Sequence, residues 1–103
     1  MDPIADVAVF PEANIYFDGK CISHTIETRD GTRKSVGVIL PSTLTFSTAA
    51  PECIDIATGL CRVRIDGSDK WDEYAAGQTF SVAGDSSFDI EVSQTLHYVC
   101  HFG

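Results

Sequence analysis

Basic residues are scarce in this chain. Seven Lys and Arg stand against fifteen Asp and Glu, for a formal net charge of −8. Such a surface repels polyphosphate chains, which excludes nucleic acid and anionic membranes as natural partners. A small anion remains admissible where the few cations gather. No run approaches the roughly 18–20 apolar residues of a membrane-spanning helix. The first residues, MDPIADVAVFPEAN, carry acidic groups where an export signal carries Lys or Arg, so a cytoplasmic location is expected. Cys21, Cys53, Cys61 and Cys100 form no C-x-x-C pair, which removes the common zinc and thioredoxin-like signatures. Reduced packing thiols are the simple reading, with a Cys53–Cys61 disulfide across a hairpin as the sharper alternative. No G-x-S-x-G elbow, P-loop or dinucleotide fingerprint is present. No segment of ten or more residues repeats apolar positions at helical spacing.

What is present is β-pattern. Lys20–Thr28 alternates and is rich in β-branched residues, Asp30-Gly31 signals a turn, and Arg33–Leu40 returns as its partner. Further strands are expected over Thr43–Phe46, Cys53–Ala57, Leu60–Ile65, Trp71–Tyr74, Thr79–Val82, Ser87–Val92 and Leu96–Phe102. The breaks between them fall at Thr58-Gly59, Asp66-Gly67, Ala75-Ala76-Gly77, Gly84-Asp85-Ser86 and Ser93-Gln94. Many short strands at intervals of roughly ten residues predict an all-β, single-domain antiparallel barrel or jelly roll. Spacing alone does not separate this from an immunoglobulin-like sandwich. Residues 1–13, with Pro3 and Pro11, read as an arm ahead of a barrel domain over 14–103. A chain of 103 residues has a thin core, and a homodimer is an economical way to bury more surface.

The segment Thr45–Gly59, TFSTAAPECIDIATG, concentrates the chemistry. Glu52 shares strand parity with Ile54 and Ile56, so all three point to one face. A carboxylate on an apolar face needs a partner or a task. Thr45, Ser47 and Thr48 offer hydroxyls suited to phosphate oxygens or sugar hydroxyls. Among the cations, Arg62 and Arg64 alternate with Cys61, Val63 and Ile65, and Arg33 and Lys34 follow the Asp30-Gly31 turn; an anion site recruits from these. His97 and His101 lie about 13 Å apart on a strand, too far to share a metal, and the parity of Leu96, Tyr98, Cys100 and Phe102 turns them outward.

Glu52-x6-Gly59 resembles the second half of the first cupin motif, and Gly77-x5-Ala83-Gly84 the start of the second, with Ala83 in place of its proline. The histidines of metal-binding cupins are missing from both, and one carboxylate among hydroxyls is a poor transition-metal site. The runs NIYFDGKCISHTI, RKSVGVILP and TFSTAAPECIDIATGLCRVRI, with Trp71, Tyr74-x2-Gly77, Phe80-x-Val82, Ser87-Phe88 and Tyr98-Val99-Cys100, together resemble the small cupin-fold pyrimidine/purine nucleoside phosphorylases over about residues 14–102. That resemblance implies a cupin-like β-barrel, usually dimeric, that needs no metal or organic cofactor. It also implies phosphorolysis of purine and pyrimidine nucleosides, with inorganic phosphate as co-substrate. Glu52 is then the expected catalytic carboxylate, with Ser35, Thr45, Ser47, Thr48, Arg33 and Arg62 as candidates for phosphate and sugar contacts. Tyr16, Phe17 or Tyr98 offer a surface on which a base could stack. The rival expectation is a non-catalytic cupin holding a sugar- or nucleotide-like ligand.

Overall fold

The structure, a computed structural model, describes residues 1–103. Nine strands follow in order: β1 (Ala8–Val9), β2 (Asn14–Tyr16), β3 (Cys21–Glu27), β4 (Arg33–Ile39), β5 (Ser42–Ser47), β6 (Glu52–Ile65), β7 (Asp72–Ala75), β8 (Thr79–Val82) and β9 (Ser87–Phe102). One 3-10 turn, Phe17–Gly19, joins β2 to β3. Every pairing is antiparallel.

The long strands β6 and β9 pair with each other along most of their length, from Glu52↔Phe102 to Ile65↔Phe88. They form a shared spine, and the sheet folds on itself around them into two layers. The first layer runs β1 and β2, then β3, β4, the second half of β9, the first half of β6, and β8. In the second layer, β5, the first half of β9, the second half of β6 and β7 lie side by side. Ile56, Ile90 and Leu96 are fully buried between the layers, with Phe80, Phe88 and Val63 beside them. Each such side chain contributes roughly 1.5–3 kcal/mol through burial.

Two expected breaks are corrected. Thr58-Gly59 is not a hairpin turn, and Ser93-Gln94 does not divide two strands; both lie inside the continuous β6 and β9. The register shifts between Ile56 and Cys61. Across that irregularity the inward set of β6 changes from Ile54 and Ile56 to Cys61 and Val63. Gly59 permits the bend: its φ is +112°, and a Cβ there would stand 2.3 Å from the Thr95 carbonyl oxygen. With no hairpin, Cys53 and Cys61 lie along one strand, and all four cysteines are free. The segment expected as an arm is partly tied down. Ala8 and Val9 pair with Glu27 and Ile26, and the Phe10 N–H donates to the Thr25 carbonyl at 2.9 Å.

Candidate active site

A cavity of about 190 Å³ opens between the two layers, with mainly apolar walls. Ile54, Ile90 and Leu96 line it, together with the rings of Phe80 and Phe88. Phe88 stacks on Phe46 at 5.5 Å, and Phe46 meets Phe17 edge-on at 5.2 Å. Tyr16, Phe17 and Phe102 remain substantially exposed, so aromatic surface continues outward from the mouth. The enclosed space is smaller than the roughly 300–1,000 Å³ of sites that swallow a drug-sized ligand whole. It suits a sugar-sized group, with any attached ring left among those aromatics.

The polar groups of the cavity come from alternate positions on neighbouring strands. Ser23, Gly37 and Tyr98 are in register across β3, β4 and β9. A Cβ at position 37 would lie 2.8 Å from that of Ser23. Its absence lets Tyr98 lie across β4, with its hydroxyl 3.5 Å from Cys21 Sγ and within reach of Ser23. In the adjacent row Ser35 pairs with Cys100, and Cys100 with Ile54. Cys100 therefore lies between Ser35 and Ile54, and its thiol reaches along β6 to donate to Glu52 Oε1 at 3.5 Å.

Glu52 is the cavity's one carboxylate, and no Lys, Arg or His side chain lines it. Burial pushes the Glu52 carboxyl above its usual range, and the Cys100 thiol pulls part of the way back. Burial likewise raises the Cys21 and Cys100 thiols and the Tyr98 hydroxyl, so all three stay protonated at neutral pH. The wall thus presents neutral hydroxyls and thiols to a carboxylate that accepts. That arrangement fits a polyol or a hydroxylated oxyanion.

The expected site residues divide. Ser35, Ser47 and Glu52 line the cavity. Arg33 shares a face with Ser35, two positions along β4, but stands at the rim. Its Nε lies 3.4 Å from Glu27 Oε1 and its guanidinium 5.0 Å from the Phe10 ring centre. Thr45 is exposed on the outer face and donates to Asp89 Oδ1 at 2.6 Å. Thr48 is buried as a brace, donating to the Ala83 carbonyl at 2.7 Å and accepting from the Ser86 N–H. Arg62 also faces outward, paired with Glu91 at 2.9 Å and stacked on Trp71. The three histidines lie outside the cavity, with His101 Nε2 2.7 Å from Asp55 Oδ2 on the opposite face. Cys21 and Cys100, expected as packing thiols, also line the cavity, and so does Ser23, which lies outside the expected set. The alternation of β3 held the signal for Ser23, but Ile22 and Ile26 compete for the inward face.

A family model described as pyrimidine/purine nucleoside phosphorylase matches residues 11–102. A protein of that name from Cupriavidus metallidurans is 60% identical over 103 residues, covering 100% of both chains. A crystal structure of a protein of unknown function from Acinetobacter sp. ADP1 superposes with a TM-score of 0.95, at 47% identity and 98% coverage of each chain. An RmlC-like cupin from Shewanella frigidimarina superposes with a TM-score of 0.69 at 12% identity, over 88% of this chain and 81% of that one, a likeness of fold alone. The expected cupin-like β-barrel is therefore the fold observed, and the chain belongs to the pyrimidine/purine nucleoside phosphorylase family.

Proposed function

We propose that the protein phosphorolyses purine and pyrimidine nucleosides to the free base and a pentose 1-phosphate, using the cavity between its two layers. The observation that carries this reading is Glu52, a lone carboxylate in a mainly apolar pocket of sugar size whose other polar groups are uncharged hydroxyls and thiols. The 2′- and 3′-hydroxyls of a β-nucleoside lie on the face of the ribose opposite the base. An attacking phosphate approaches C1′ from that same face. A carboxylate there accepts from the sugar hydroxyls and stabilises the positive charge that develops as the C1′–N bond breaks. A phosphate oxygen bonds to C1′, the bond pair leaves on the base nitrogen, and a proton from the phosphate completes the free base.

Ser35 and Ser47, with Ser23 and the Tyr98 hydroxyl, are the donors available to the phosphate. The aromatic mouth holds the base by stacking, which admits either ring size. No metal or organic cofactor enters this scheme. A cytoplasmic homodimer completes it, the exposed Val9 and Ile15 on the outer strands of the first layer offering apolar surface to a second copy.

The test is release of base from adenosine and uridine by purified, folded protein, with and without inorganic phosphate. Release that depends on phosphate and yields ribose 1-phosphate supports the reading. Ligand binding with no turnover of any common nucleoside points instead to a non-catalytic sugar-binding cupin. Light scattering on the same sample tests the dimer.

A further inference from the structure

An anion site ordinarily contains a cation, and this cavity has none. Its titratable groups are Glu52 from β6, Tyr98 and Cys100 from β9, Cys21 from β3 and Tyr16 from β2. The lining residues of β4, β5 and β8 add Ser35, Ile39, Phe46, Ser47 and Phe80, none of them ionisable near neutral pH. Arg33 at the rim is held by Glu27 and Phe10, while His101, Asp55 and Lys34 belong to the opposite face. A dianion drawn into this space meets a carboxylate with nothing to offset either charge.

We propose that the cavity binds phosphate as its dihydrogen monoanion, with Glu52 accepting a hydrogen bond from one phosphate hydroxyl, and that it discriminates against sulfate. The inference rests on the reading above in taking inorganic phosphate as the co-substrate of this cavity. The hydroxyls of Ser23, Ser35 and Tyr98 donate to the unprotonated oxygens, and the phosphate supplies the proton that faces the carboxylate. Sulfate has the same tetrahedral shape but no proton near neutral pH, so its oxygens oppose Glu52 lone pair against lone pair. Arsenate carries protons as phosphate does and is accepted. In the transfer itself, the monoanion forms its O–C1′ bond, the base leaves with the glycosidic electron pair, and one phosphate proton passes to the base. The product is the singly protonated sugar phosphate, so atoms and charge balance.

The experiment is calorimetric titration of the full-length protein with inorganic phosphate, arsenate and sulfate at pH 6 and pH 8. Sulfate is expected to bind more than about 100-fold more weakly than phosphate at pH 6, the half-buried carboxylate left facing an unprotonated oxygen being the dominant loss. Affinity for total phosphate is expected to fall about tenfold for each pH unit above the second ionisation of phosphate, the slope for one coupled proton. In Glu52→Gln the side-chain amide donates an N–H, so the gap between sulfate and phosphate narrows. Circular dichroism checks that this variant is folded. Sulfate binding within about threefold of phosphate, or phosphate affinity equal at both pH values, overturns the inference. If phosphate binds with this proton coupling while no nucleoside is cleaved, the enzymatic reading fails and this one stands.

Discussion

The thiol of Cys100 donates to Glu52 Oε1 across 3.5 Å, a neutral donor supporting a carboxylate that burial pushes toward its protonated form. Removing that donor leaves the burial cost unopposed, so Cys100→Ala shifts Glu52 further upward. If ionised Glu52 is the active form, the acidic limb of the pH–rate profile moves to higher pH in Cys100→Ala. Cys100→Ser keeps a donor of similar size and returns the limb toward its original position. A limb unmoved in both variants would mean that the thiol is only filling space.

Glu52→Gln separates function from stability. The variant keeps the shape and loses the charge, so turnover is expected to drop by about 100-fold or more, the scale of one lost electrostatic group in a buried site. Stability moves the other way. Because the folded-state pKa of Glu52 lies above the unfolded value, the folded chain holds its proton where the unfolded chain releases it. Stability therefore falls as pH rises through that window. Gln has no such loss, so Glu52→Gln should melt at an equal or higher temperature than the parent at pH 8, with the difference vanishing at pH 4. A lower melting temperature at pH 8 would show that Glu52 is a structural anchor.

The sequence carried strand identity and the place of the catalytic candidate, and it failed where local and long-range signals conflict. Alternation in Glu52–Ile56 placed Glu52 on the inward face correctly, because Ile54 and Ile56 are buried there. Thr58-Gly59 and Ser93-Gln94 read as turns, since nothing local distinguishes a glycine that reverses a chain from one that bends a strand against its neighbour. The hydroxyls were harder. Thr45 and Thr48 are as polar as Ser35, but one is spent on Asp89 and the other on loop carbonyls. In β3 the buried face bears Cys21 and Ser23 while Ile22 and Ile26 lie behind, and Ile26 is itself covered. Hydrophobic parity therefore points both ways on that strand.

The bend at Gly59 admits a direct test. Gly59→Ala places a Cβ against the backbone of Thr95 at a positive φ, where neither strand can yield cheaply. The expected loss exceeds roughly 1–3 kcal/mol of unfolding free energy, read from the urea midpoint at unchanged slope. Gly31→Ala is the control, since its φ is also positive but nothing lies within 4 Å. Equal losses in the two variants would mean that backbone strain, and not the close approach of β9, is what Gly59 relieves.

On the outer face, Asp55 accepts from Thr79 Oγ1 at 2.7 Å and meets His101 Nε2 at the same distance. These contacts, the Thr79 hydrogen bond first, hold the Asp55 carboxyl below its ordinary range. A depressed folded-state pKa contributes stability above the unfolded value and loses it as pH falls through the folded one. Asp55→Asn should therefore lower the melting temperature at pH 7 by a margin that closes below pH 3. A margin independent of pH would assign the effect to packing. Activity at neutral pH should change little, because this cluster is on the face away from the cavity.

Phe17 and Asp18 both adopt left-handed backbone conformations, with φ of +52° and +55°, and neither is a glycine that would do so without cost. The strained pair ends β2 at the cavity mouth and sets the Phe17 ring edge-on to Phe46. A ring held there at a cost to the backbone is well placed to stack on a base that projects from the pocket. Phe17→Ala should raise KM for adenosine and uridine together by about three- to tenfold, the scale of one aromatic contact. Steady-state kinetics with each nucleoside at saturating phosphate measure this, and KM for phosphate at saturating nucleoside should not move. A rise confined to phosphate, or to one class of base, would place the stacking surface elsewhere, leaving Phe17 as a plug that seals the two layers.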